Sequence, residues 1–554
     1  MSACPRVVVI GLDGASPDLV RRWTESGDLP ALAGLMERGS FGPLLSTVPP
    51  VSPAAWSTFV TGRNPAGHGV LGFRNLDARR YEYHEPDIVS SQWIAGKTFW
   101  DFAGAQGRRV GVLWVPVTYP PWPVSGVLVS GYPTPDSARS FGSPESLVAT
   151  LPGLTENSAF FNSARPEQVA AELVWLARER GRVAAELMRR EAFDLFVVVI
   201  GSIDRAQHDF WRHHDPDSSV HNPGEARRLG SAILDTYRAA DRAVSDLVAA
   251  ASPDATVFVL SDHGGGRAAD RMVHLGAWLR RAGLLVARPP GPGGGFLSTI
   301  YKWFKSRFAA REWLFRRLPP SWRRRLSLFD AAATYHLGAV DWARTRAYRF
   351  PLYPPFEGIV VNLVGRQPQG CVAPGEYEPL RDRILAALGA MREPGSDLPI
   401  VARAFRREEI YTGEHLERLP DIIVELQPGY TGGPDVWGEC VTPVAAGHLR
   451  RLSGAHRMQG ILIAAGPALR RAATIERATL ADIAPTILYA LGLPRPTTMD
   501  GRVLAELFDP DYLNEHPVES VEAALPDAKP SQAGLSPREQ AEIAERLRTL
   551  GYMD

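Results

Sequence analysis

Three short runs in the chain are almost continuously apolar and rich in Val and Ile. They are Val7–Leu12, Phe196–Ile203 and Ala255–Leu260. Runs of this length and composition are typical of parallel strands that helices cover on both faces. The pattern therefore predicts an α/β fold with a mainly parallel central sheet.

An aspartate follows each of these predicted strands, at the next position or the one after it. These residues are Asp13, Asp204 and Asp262. In open α/β sheets ligands bind outside the carboxyl ends of the strands, so the three carboxylates could meet at one site. Each aspartate could equally be the N-cap of the helix that follows its strand.

Two histidines near these aspartates favour a metal site over simple capping. His208 follows Asp204 by four residues, which places both side chains on one face of a helix. His263 is adjacent to Asp262, and a turn at glycines 264–266 would let both side chains point at one centre. Mixed carboxylate and imidazole ligation suits zinc and other borderline divalent metals.

A serine between the first two predicted strands is a candidate nucleophile. Pro53 suits the first helical position, which predicts Ser52 as the N-cap of a helix over Ala54–Thr61. Free N–H groups and the positive end of the helix dipole make this position favourable for phosphate. A serine hydroxyl attacks well only when a base or a metal lowers its pKa. Without the predicted metal site, Ser52 is an ordinary Ser-Pro cap.

The composition is that of a folded globular protein. The chain has 554 residues, of which 45% are hydrophobic and 22% charged. Its 61 basic and 61 acidic residues balance, so no specific nucleic-acid partner is expected. No apolar run approaches the roughly 18–20 residues that span a bilayer. Three scattered cysteines (Cys4, Cys371 and Cys440) and the lack of a signal-peptide pattern favour a cytoplasmic protein.

Together these motifs resemble the alkaline phosphatase superfamily, and within it the type I phosphodiesterase/nucleotide pyrophosphatase family. The resemblance rests on the joint order of motifs that are individually unspecific. The matching segments are Gly11-Leu-Asp13-Gly, Pro49-Pro-Val-Ser52-Pro-Ala-Ala-Trp56, Thr61-Gly62-Arg63-Asn-Pro-Ala-Gly-His68-Gly, Asp204-Arg-Ala-Gln-His208, Ser261-Asp262-His263-Gly and Ser453-Gly-Ala-His456-Arg. The resemblance implies an alkaline-phosphatase-like three-layer α/β/α core with an inserted cap.

The resemblance also implies two divalent metal ions, either zinc or manganese. Position by position, it carries over two ligand sets: Asp204, His208 and His456 for one ion, and Asp13, Asp262, His263 and the attacking Ser52 oxygen for the other. His456 is thereby added to the residues that spacing alone had singled out.

The chain departs from the family's nucleotide pyrophosphatases at two positions. Ser52 stands where those enzymes carry threonine, a chemically equivalent nucleophile. Ala55 stands where they carry an asparagine that helps hold a phosphoryl oxygen, so a backbone N–H group, Arg63 or Lys97 would have to contact the phosphate instead. Trp56 is a further candidate substrate contact, with a place in the core as the alternative.

The function that these residues imply is a metal-dependent phosphoric ester hydrolase with a phospho-Ser52 intermediate. No clear third ligand set is present, which favours phosphodiesters over monoesters. A phosphomonoesterase, a phospho-group transferase and a non-catalytic member that binds membrane, lipid or protein are the alternatives. A sulfatase would need an arginine where this chain has Trp56. The expected substrate is a phosphate ester, either a small molecule or a lipid.

Shifts in composition divide the chain into four predicted parts. Residues 1–285 and 431–510 form the two parts of the core, and residues 286–430 form an inserted cap that selects substrate. A linker and a C-terminal helix follow over residues 511–554. Within the insert, segment 296–329 is basic and aromatic, which predicts either a cap over the active site or a peripheral membrane contact.

Overall fold

The structure is a computed structural model that describes residues 7–74, 76–81, 88–138, 140–148, 165–288, 340–522 and 534–549. The predicted basic segment 296–329 lies outside the described residues. Among those that are described, no helix is long and apolar enough to cross a membrane.

Strands and helices are numbered in chain order. The strands are β1 (Val7–Leu12), β2 (Ser40–Leu45), β3 (Val110–Val115), β4 (Gly126–Ser130), β5 (Gly142–Ser143), β6 (Leu195–Ile200), β7 (Thr256–Leu260), β8 (Gly264–Arg267), β9 (Arg271–Val273), β10 (Ala347–Phe350), β11 (Phe356–Val361), β12 (Val401–Arg406), β13 (Ile422–Leu426), β14 (Tyr430–Gly432), β15 (Val441–Pro443), β16 (Gly454–Arg457), β17 (Gln459–Ala465), β18 (Arg495–Pro496) and β19 (Ser520–Val521). The helices are α1 (Pro17–Glu25), α2 (Pro30–Arg38), α3 (Ser52–Thr61), α4 (Pro65–His68), α5 (Phe99–Ala105), α6 (Glu145–Val148), α7 (Pro166–Arg190), α8 (Ser202–His214), α9 (Pro223–Leu229), α10 (Ala232–Ala250), α11 (Leu275–Arg281), α12 (Tyr377–Gly389), α13 (Ala446–Arg451), α14 (Ile483–Ala490), α15 (Pro510–Glu515) and α16 (Pro537–Thr549).

The largest sheet has the strand order β2-β17-β7-β1-β6-β3-β4-β5. Strands β7, β1, β6, β3 and β4 are parallel to one another. Strand β17 runs antiparallel to both β7 and β2, and β5 runs antiparallel to β4. Because β1 lies between β6 and β7, the carboxyl ends of all three predicted strands meet at one edge of the sheet.

Helices cover both faces of this sheet, and the side chains of β1 alternate between them. Val8, Ile10 and Leu12 belong to a buried cluster with residues of α1, α2, α7, α8 and α10. Val7 and Val9 belong to a second buried cluster, with residues of α3, α5 and α14. The predicted three-layer α/β/α fold with a mainly parallel sheet is therefore confirmed.

Residues 340–430 contain a second, antiparallel sheet with the order β10-β11-β13-β12. Helix α12 is amphipathic, and its Leu380, Ile384 and Leu388 share a buried cluster with the strands of this sheet. Strand β9, which precedes the insert, pairs with β14 and β15, which follow this sheet. These pairings connect both ends of the insert to the core. The division of the chain into four parts stays a prediction.

Two local predictions are wrong. The second predicted strand ends at Ile200 rather than Ile203, because helix α8 begins two residues later and Asp204 lies in its first turn. Glycines 264–266 do not form a turn but lie in strand β8, which pairs antiparallel with β16. A Cβ atom added at Gly265 would come within 2.5 Å of a side chain of α8. Because helix α8 approaches the strand this closely, glycine is the residue that fits at position 265 without displacing that side chain.

Candidate active site

A first cluster of site residues lies at the carboxyl ends of β1 and β7. Asp13 directly follows β1. One residue, Ser261, separates the end of β7 from Asp262 and His263. All three site residues are buried, and their potential ligand atoms lie within 4.8 Å of one another. His263 Nε2 is 3.3 Å from Asp262 Oδ2 and 3.7 Å from Asp13 Oδ1. We call this cluster half-site A.

A second cluster, half-site B, joins two residues of helix α8 to one residue of strand β16. Asp204 and His208 lie on successive turns of α8, and His456 comes from β16. His208 Nε2 and His456 Nε2 lie 3.3 Å and 3.4 Å from Asp204 Oδ1. The three potential ligand atoms lie within 4.8 Å of one another. The pairing of β16 with β8 brings His456 beside the segment that carries half-site A.

The two half-sites adjoin. The rings of His263 in half-site A and His456 in half-site B stack, with centroids 3.7 Å apart and planes inclined by 21°. The six side chains that the resemblance singled out therefore form one buried polar centre, although they come from four separate segments of the chain.

Main-chain carbonyl groups fix the tautomer of all three histidines. Nδ1 of each ring donates to one carbonyl oxygen, in these pairs: His208 to Gly454 (2.9 Å), His456 to Pro50 (2.7 Å) and His263 to Gly264 (3.1 Å). A carbonyl oxygen only accepts, so Nδ1 carries the proton and Nε2 presents a lone pair to the centre. The Nε2 atoms of His208 and His456 consequently face each other at 2.9 Å, an arrangement that a bound cation would stabilise.

Ser52 lies at the edge of half-site A. Helix α3 begins at Ser52, with Val51 as its N-cap, one residue earlier than predicted. The Ser52 hydroxyl is buried and its Oγ is 3.4 Å from His263 Nε2. The preceding loop is tied to half-site B, because the Pro50 carbonyl accepts the hydrogen bond from His456.

Burial and mutual repulsion set the charges of the three aspartates. Burial, together with the neighbouring charge of Asp204, raises the pKa of Asp13 to about 8. Burial and repulsion from Asp13 and Asp204 also raise the pKa of Asp262 well above its usual range. Burial raises the pKa of Asp204, but the positive charges that His208 and His456 carry when protonated outweigh it and hold the pKa of that carboxyl well below its usual range. Half-site A thus lacks a positive partner for its two carboxylates.

The residues of both half-sites fit divalent cations. Asp13 Oδ1 and Asp262 Oδ2 are buried oxygens without a hydrogen-bond partner, which is costly for an ionised group unless a cation neutralises it. Each half-site offers three ligands of the carboxylate and imidazole types. Three such ligands and one open position are typical of catalytic zinc sites. The two clusters are therefore candidate metal sites.

The three predicted substrate contacts lie in different surroundings. Trp56 is fully buried and its Nε1 donates to Asp13 Oδ2 at 2.9 Å, so it positions Asp13 instead of offering a surface to substrate. Arg63 is half-buried, with Nη2 3.8 Å from Glu414 Oε1, outside both half-sites. Lys97 is half-buried just before the N-cap of α5. Substrate contacts by Arg63 and Lys97 stay predictions.

One buried residue of the centre was not singled out from the sequence. Gln207 precedes His208, and its Nε2 donates to the carbonyl oxygen of Gly14 at 2.7 Å. Its spacing of three residues from Asp204 on a helix places the two side chains near each other, which is the signal that could have identified it.

A cleft of about 1590 Å³ opens beside half-site B. His208, His456 and Arg457 line it on the core side, and residues 351–356 and 425–432 line it on the side of the insert. The cleft exceeds the roughly 300–1,000 Å³ of ordinary ligand pockets. It therefore has room for substrates much larger than a phosphate ion.

The likeness to a solved phosphonoacetate hydrolase supports the fold. Phosphonoacetate hydrolase from Sinorhizobium meliloti 1021, in complex with phosphonoacetate, aligns with a TM-score of 0.53 and 16% identity over 88% of this chain and 95% of that chain. Murine ectonucleotide pyrophosphatase/phosphodiesterase 5 aligns with a TM-score of 0.46 and 14% identity over 91% of this chain and 100% of its own. At such identities the likeness to the phosphonoacetate hydrolase concerns the fold alone. No curated protein matches the sequence significantly.

The sequence profile described as type I phosphodiesterase / nucleotide pyrophosphatase matches residues 7–442. This match extends from β1 to β15 and includes Ser52 and the two candidate ligands of helix α8, Asp204 and His208. It confirms the resemblance predicted from the motifs. The chain belongs to the type I phosphodiesterase/nucleotide pyrophosphatase family of the alkaline phosphatase superfamily, a family of phosphoric ester hydrolases.

Proposed function

We propose that the protein is a two-metal phosphodiesterase that uses Ser52 as its nucleophile. The observation that carries the proposal is the convergence of one hydroxyl and six potential metal ligands in a single buried centre. Ser52 Oγ lies 3.4 Å from His263 of half-site A, and His263 stacks on His456 of half-site B. A serine beside one half-site and adjacent to the other is suited to metal-assisted attack.

Half-site A would hold one divalent cation and half-site B the other. Zinc fits the mixed carboxylate and imidazole set, and manganese is the alternative. Bound there, the two cations would supply Lewis-acid stabilisation of the negative charge on the serine, leaving-group and phosphoryl oxygens.

The chain itself supplies the nucleophile and its orientation. Ser52 Oγ attacks phosphorus in line with the leaving oxygen, the bond from phosphorus to that oxygen breaks, and the serine proton passes to solvent. The leaving alcohol takes up a proton from solvent. Water then attacks the phospho-Ser52 ester, the bond from phosphorus to Oγ breaks, and the serine hydroxyl is restored. The N–H groups at the start of α3 supply positive potential where Ala55 lacks the side-chain amide of an asparagine.

The surroundings of the centre favour diesters over monoesters. Within the described residues, the potential ligand clusters are half-sites A and B, with no third set to balance the extra charge of a monoester. The cleft of about 1590 Å³ has room for two substituents on phosphorus. Because residues 351–356 and 425–430 of the insert line this cleft, we assign substrate selection to the insert.

The proposal is tested by comparing Ser52→Ala with Ser57→Ala on bis(p-nitrophenyl) phosphate and p-nitrophenyl phosphate. We expect Ser52→Ala to lower kcat by roughly 10³-fold or more, because the variant lacks the attacking hydroxyl. Ser57 is a matched control, since it lies buried on the same helix and its hydroxyl has no hydrogen-bond partner. The Ser57→Ala variant should keep wild-type turnover.

Metal analysis of the purified wild-type protein completes the test, with two divalent ions per chain expected. Near wild-type turnover by Ser52→Ala would exclude the covalent route. Activity confined to the monoester would exclude the diester preference, and fewer than two ions per chain would exclude the two-metal centre.

A further inference from the structure

Gln207 forms a direct contact between the two half-sites. It lies between Asp204 and His208 on helix α8 and is only 2% exposed. Its Nε2 donates to the carbonyl oxygen of Gly14 at 2.7 Å. Since Gly14 follows Asp13, this hydrogen bond reaches from the helix of half-site B to the strand end of half-site A.

Gly14 in turn touches a ligand of each half-site. Its N–H group donates to Asp262 Oδ1 at 3.2 Å. Its φ is +73°, and a Cβ atom added there would come within 2.9 Å of the Asp204 side chain. Only glycine combines this backbone conformation with so close an approach. The backbone of Gly14 therefore links Gln207, through its carbonyl oxygen, to Asp262, through its N–H group.

The other end of the Gln207 amide is also held. Tyr237 from helix α10 donates its hydroxyl to Gln207 Oε1 at 3.4 Å and accepts from the N–H group of Ser16 at 2.9 Å. The same amide packs on Gly265, two residues after His263, where an added Cβ would come within 2.5 Å. Gln207 thus contacts both strand ends that carry half-site A.

We propose that Gln207 is a positioning residue that sets the spacing of half-sites A and B, so that two divalent cations bind as a matched pair. This inference rests on the proposed function. Helix α8 carries the ligands of half-site B, and the hydrogen bond to Gly14 holds the loop of Asp13 at a defined distance from it. Without that bond the loop would be free to shift relative to the helix, and one of the two ions would bind more weakly.

The test is equilibrium binding of Zn²⁺ to full-length protein stripped of metal, for wild type and Gln207→Met. Methionine keeps the length of the side chain but removes both hydrogen bonds. The wild type should bind two ions. We expect Gln207→Met to bind one ion with wild-type affinity and the other at least roughly tenfold more weakly, the low end for loss of a residue that supports metal ligands.

A matched control and a second variant separate positioning from general stability. Gln367 is also buried, and its Nε2 donates to the Ala78 carbonyl oxygen at 3.2 Å, so Gln367→Met removes a similar bond between the insert and the first part of the core. That control should bind both ions as the wild type does. Tyr237→Phe keeps the Gln207 side chain but removes the hydroxyl that contacts it and that accepts from Ser16, and it should weaken one ion in the same direction, by less. It decides the question if Gln207→Met does not fold.

Unequal weakening in the Gln207 and Tyr237 variants, with the Gln367 control unchanged, supports the inference. Wild-type affinities for both ions in the two variants, or equal weakening of both ions, overturns it. A wild-type protein that binds fewer than two ions overturns the proposed function itself, before any variant is compared.

Discussion

Asp13 uses its two carboxylate oxygens differently. Oδ2 accepts the hydrogen bond from Trp56, whereas Oδ1 has no hydrogen-bond partner. Because Trp56 belongs to helix α3, one side chain couples the helix that begins with Ser52 to Asp13 of half-site A. We therefore expect a residue that looks like ordinary core packing to affect the proposed chemistry.

We expect Trp56→Phe to lower kcat and the Zn²⁺ affinity about tenfold, because a buried carboxylate loses its donor while most of the ring volume remains. Steady-state kinetics and Zn²⁺ binding measure the effect. Trp100→Phe is the matched control, since Trp100 is fully buried in the same cluster and its indole N–H has no partner. Equal losses in both variants would mean that packing, not the hydrogen bond, matters.

His68 is a buried neutral histidine that holds helix α3 from its other end. Its Nδ1 accepts from the N–H group of Val70 at 3.2 Å, so its Nε2 carries the proton and donates to Thr58 Oγ1 at 3.0 Å. Burial and the nearby charge of Arg63 lower the pKa of His68 from 6.5 to about 3. The folded protein therefore keeps this ring uncharged under mildly acidic conditions.

This lowered pKa predicts an acid-dependent loss of stability. In the unfolded chain the ring binds a proton below about pH 6.5, whereas the folded protein does not until about pH 3. Stability present above pH 6.5 is therefore lost as the pH falls between these values. His68→Gln should have a lower free energy of unfolding than the wild type at pH 8. Its free energy of unfolding should fall less steeply with falling pH, because the variant lacks the proton, up to about one per molecule, that the wild-type ring takes up on unfolding. Urea unfolding from pH 8 to pH 4.5 measures this, and equal slopes would contradict it.

At the scale of elements, helix α16 packs beside the start of helix α3, which carries the proposed nucleophile Ser52. Ile543, Ala544 and Leu547 share a buried cluster with Val51 and Ala54, the residues that flank Ser52 and Pro53. This helix lies beyond the residues that the family profile matches. The sequence predicted a helix in this part of the chain, but not the surface on which it docks.

We expect Leu547→Asp to lower kcat at least about tenfold with little change in KM, because an undocked helix lets Ser52 shift from its attacking position. Steady-state kinetics with a diester measures both constants. Arg548→Asp introduces the same charge one residue later, at an exposed position, and should behave as the wild type. Unchanged kcat in Leu547→Asp would exclude support of Ser52 by α16.

At the scale of the whole molecule, the centre joins segments from most of the chain. His208 and His456 face each other although they lie 248 positions apart. Cations that bind this assembled centre have no equivalent site in the unfolded chain. Their binding should therefore stabilise the entire fold.

Removal of the metal with a chelator should accordingly lower the Tm by several degrees, and added Zn²⁺ should restore it. Differential scanning calorimetry with and without chelator measures the change. Asp262→Asn lacks one ligand of half-site A and should show a smaller shift. A wild-type Tm that is the same with and without chelator would contradict metal binding to the folded state.

Patterns within a few residues were enough to predict the parallel strands, the helix that begins near Ser52 and the pairing of Asp204 with His208. Each depends on local physics: burial on two faces, a proline at a helix start, or the turn of a helix. The predicted end of β6 was wrong because Gly201, Ser202 and Ile203 can continue a strand or begin a helix. The packing of α8 decides that they begin a helix.

Only the tertiary structure decided that Trp56 faces Asp13, that glycines 264–266 form a strand and that α16 docks beside Ser52. The partners of these residues come from remote segments, and burial free energy is shared across whole elements. No local pattern therefore specifies which surfaces meet. The family resemblance supplied His456, but its hydrogen bond to Pro50 and its stacking on His263 exist only because β16 pairs with β8 at the edge of the folded sheet.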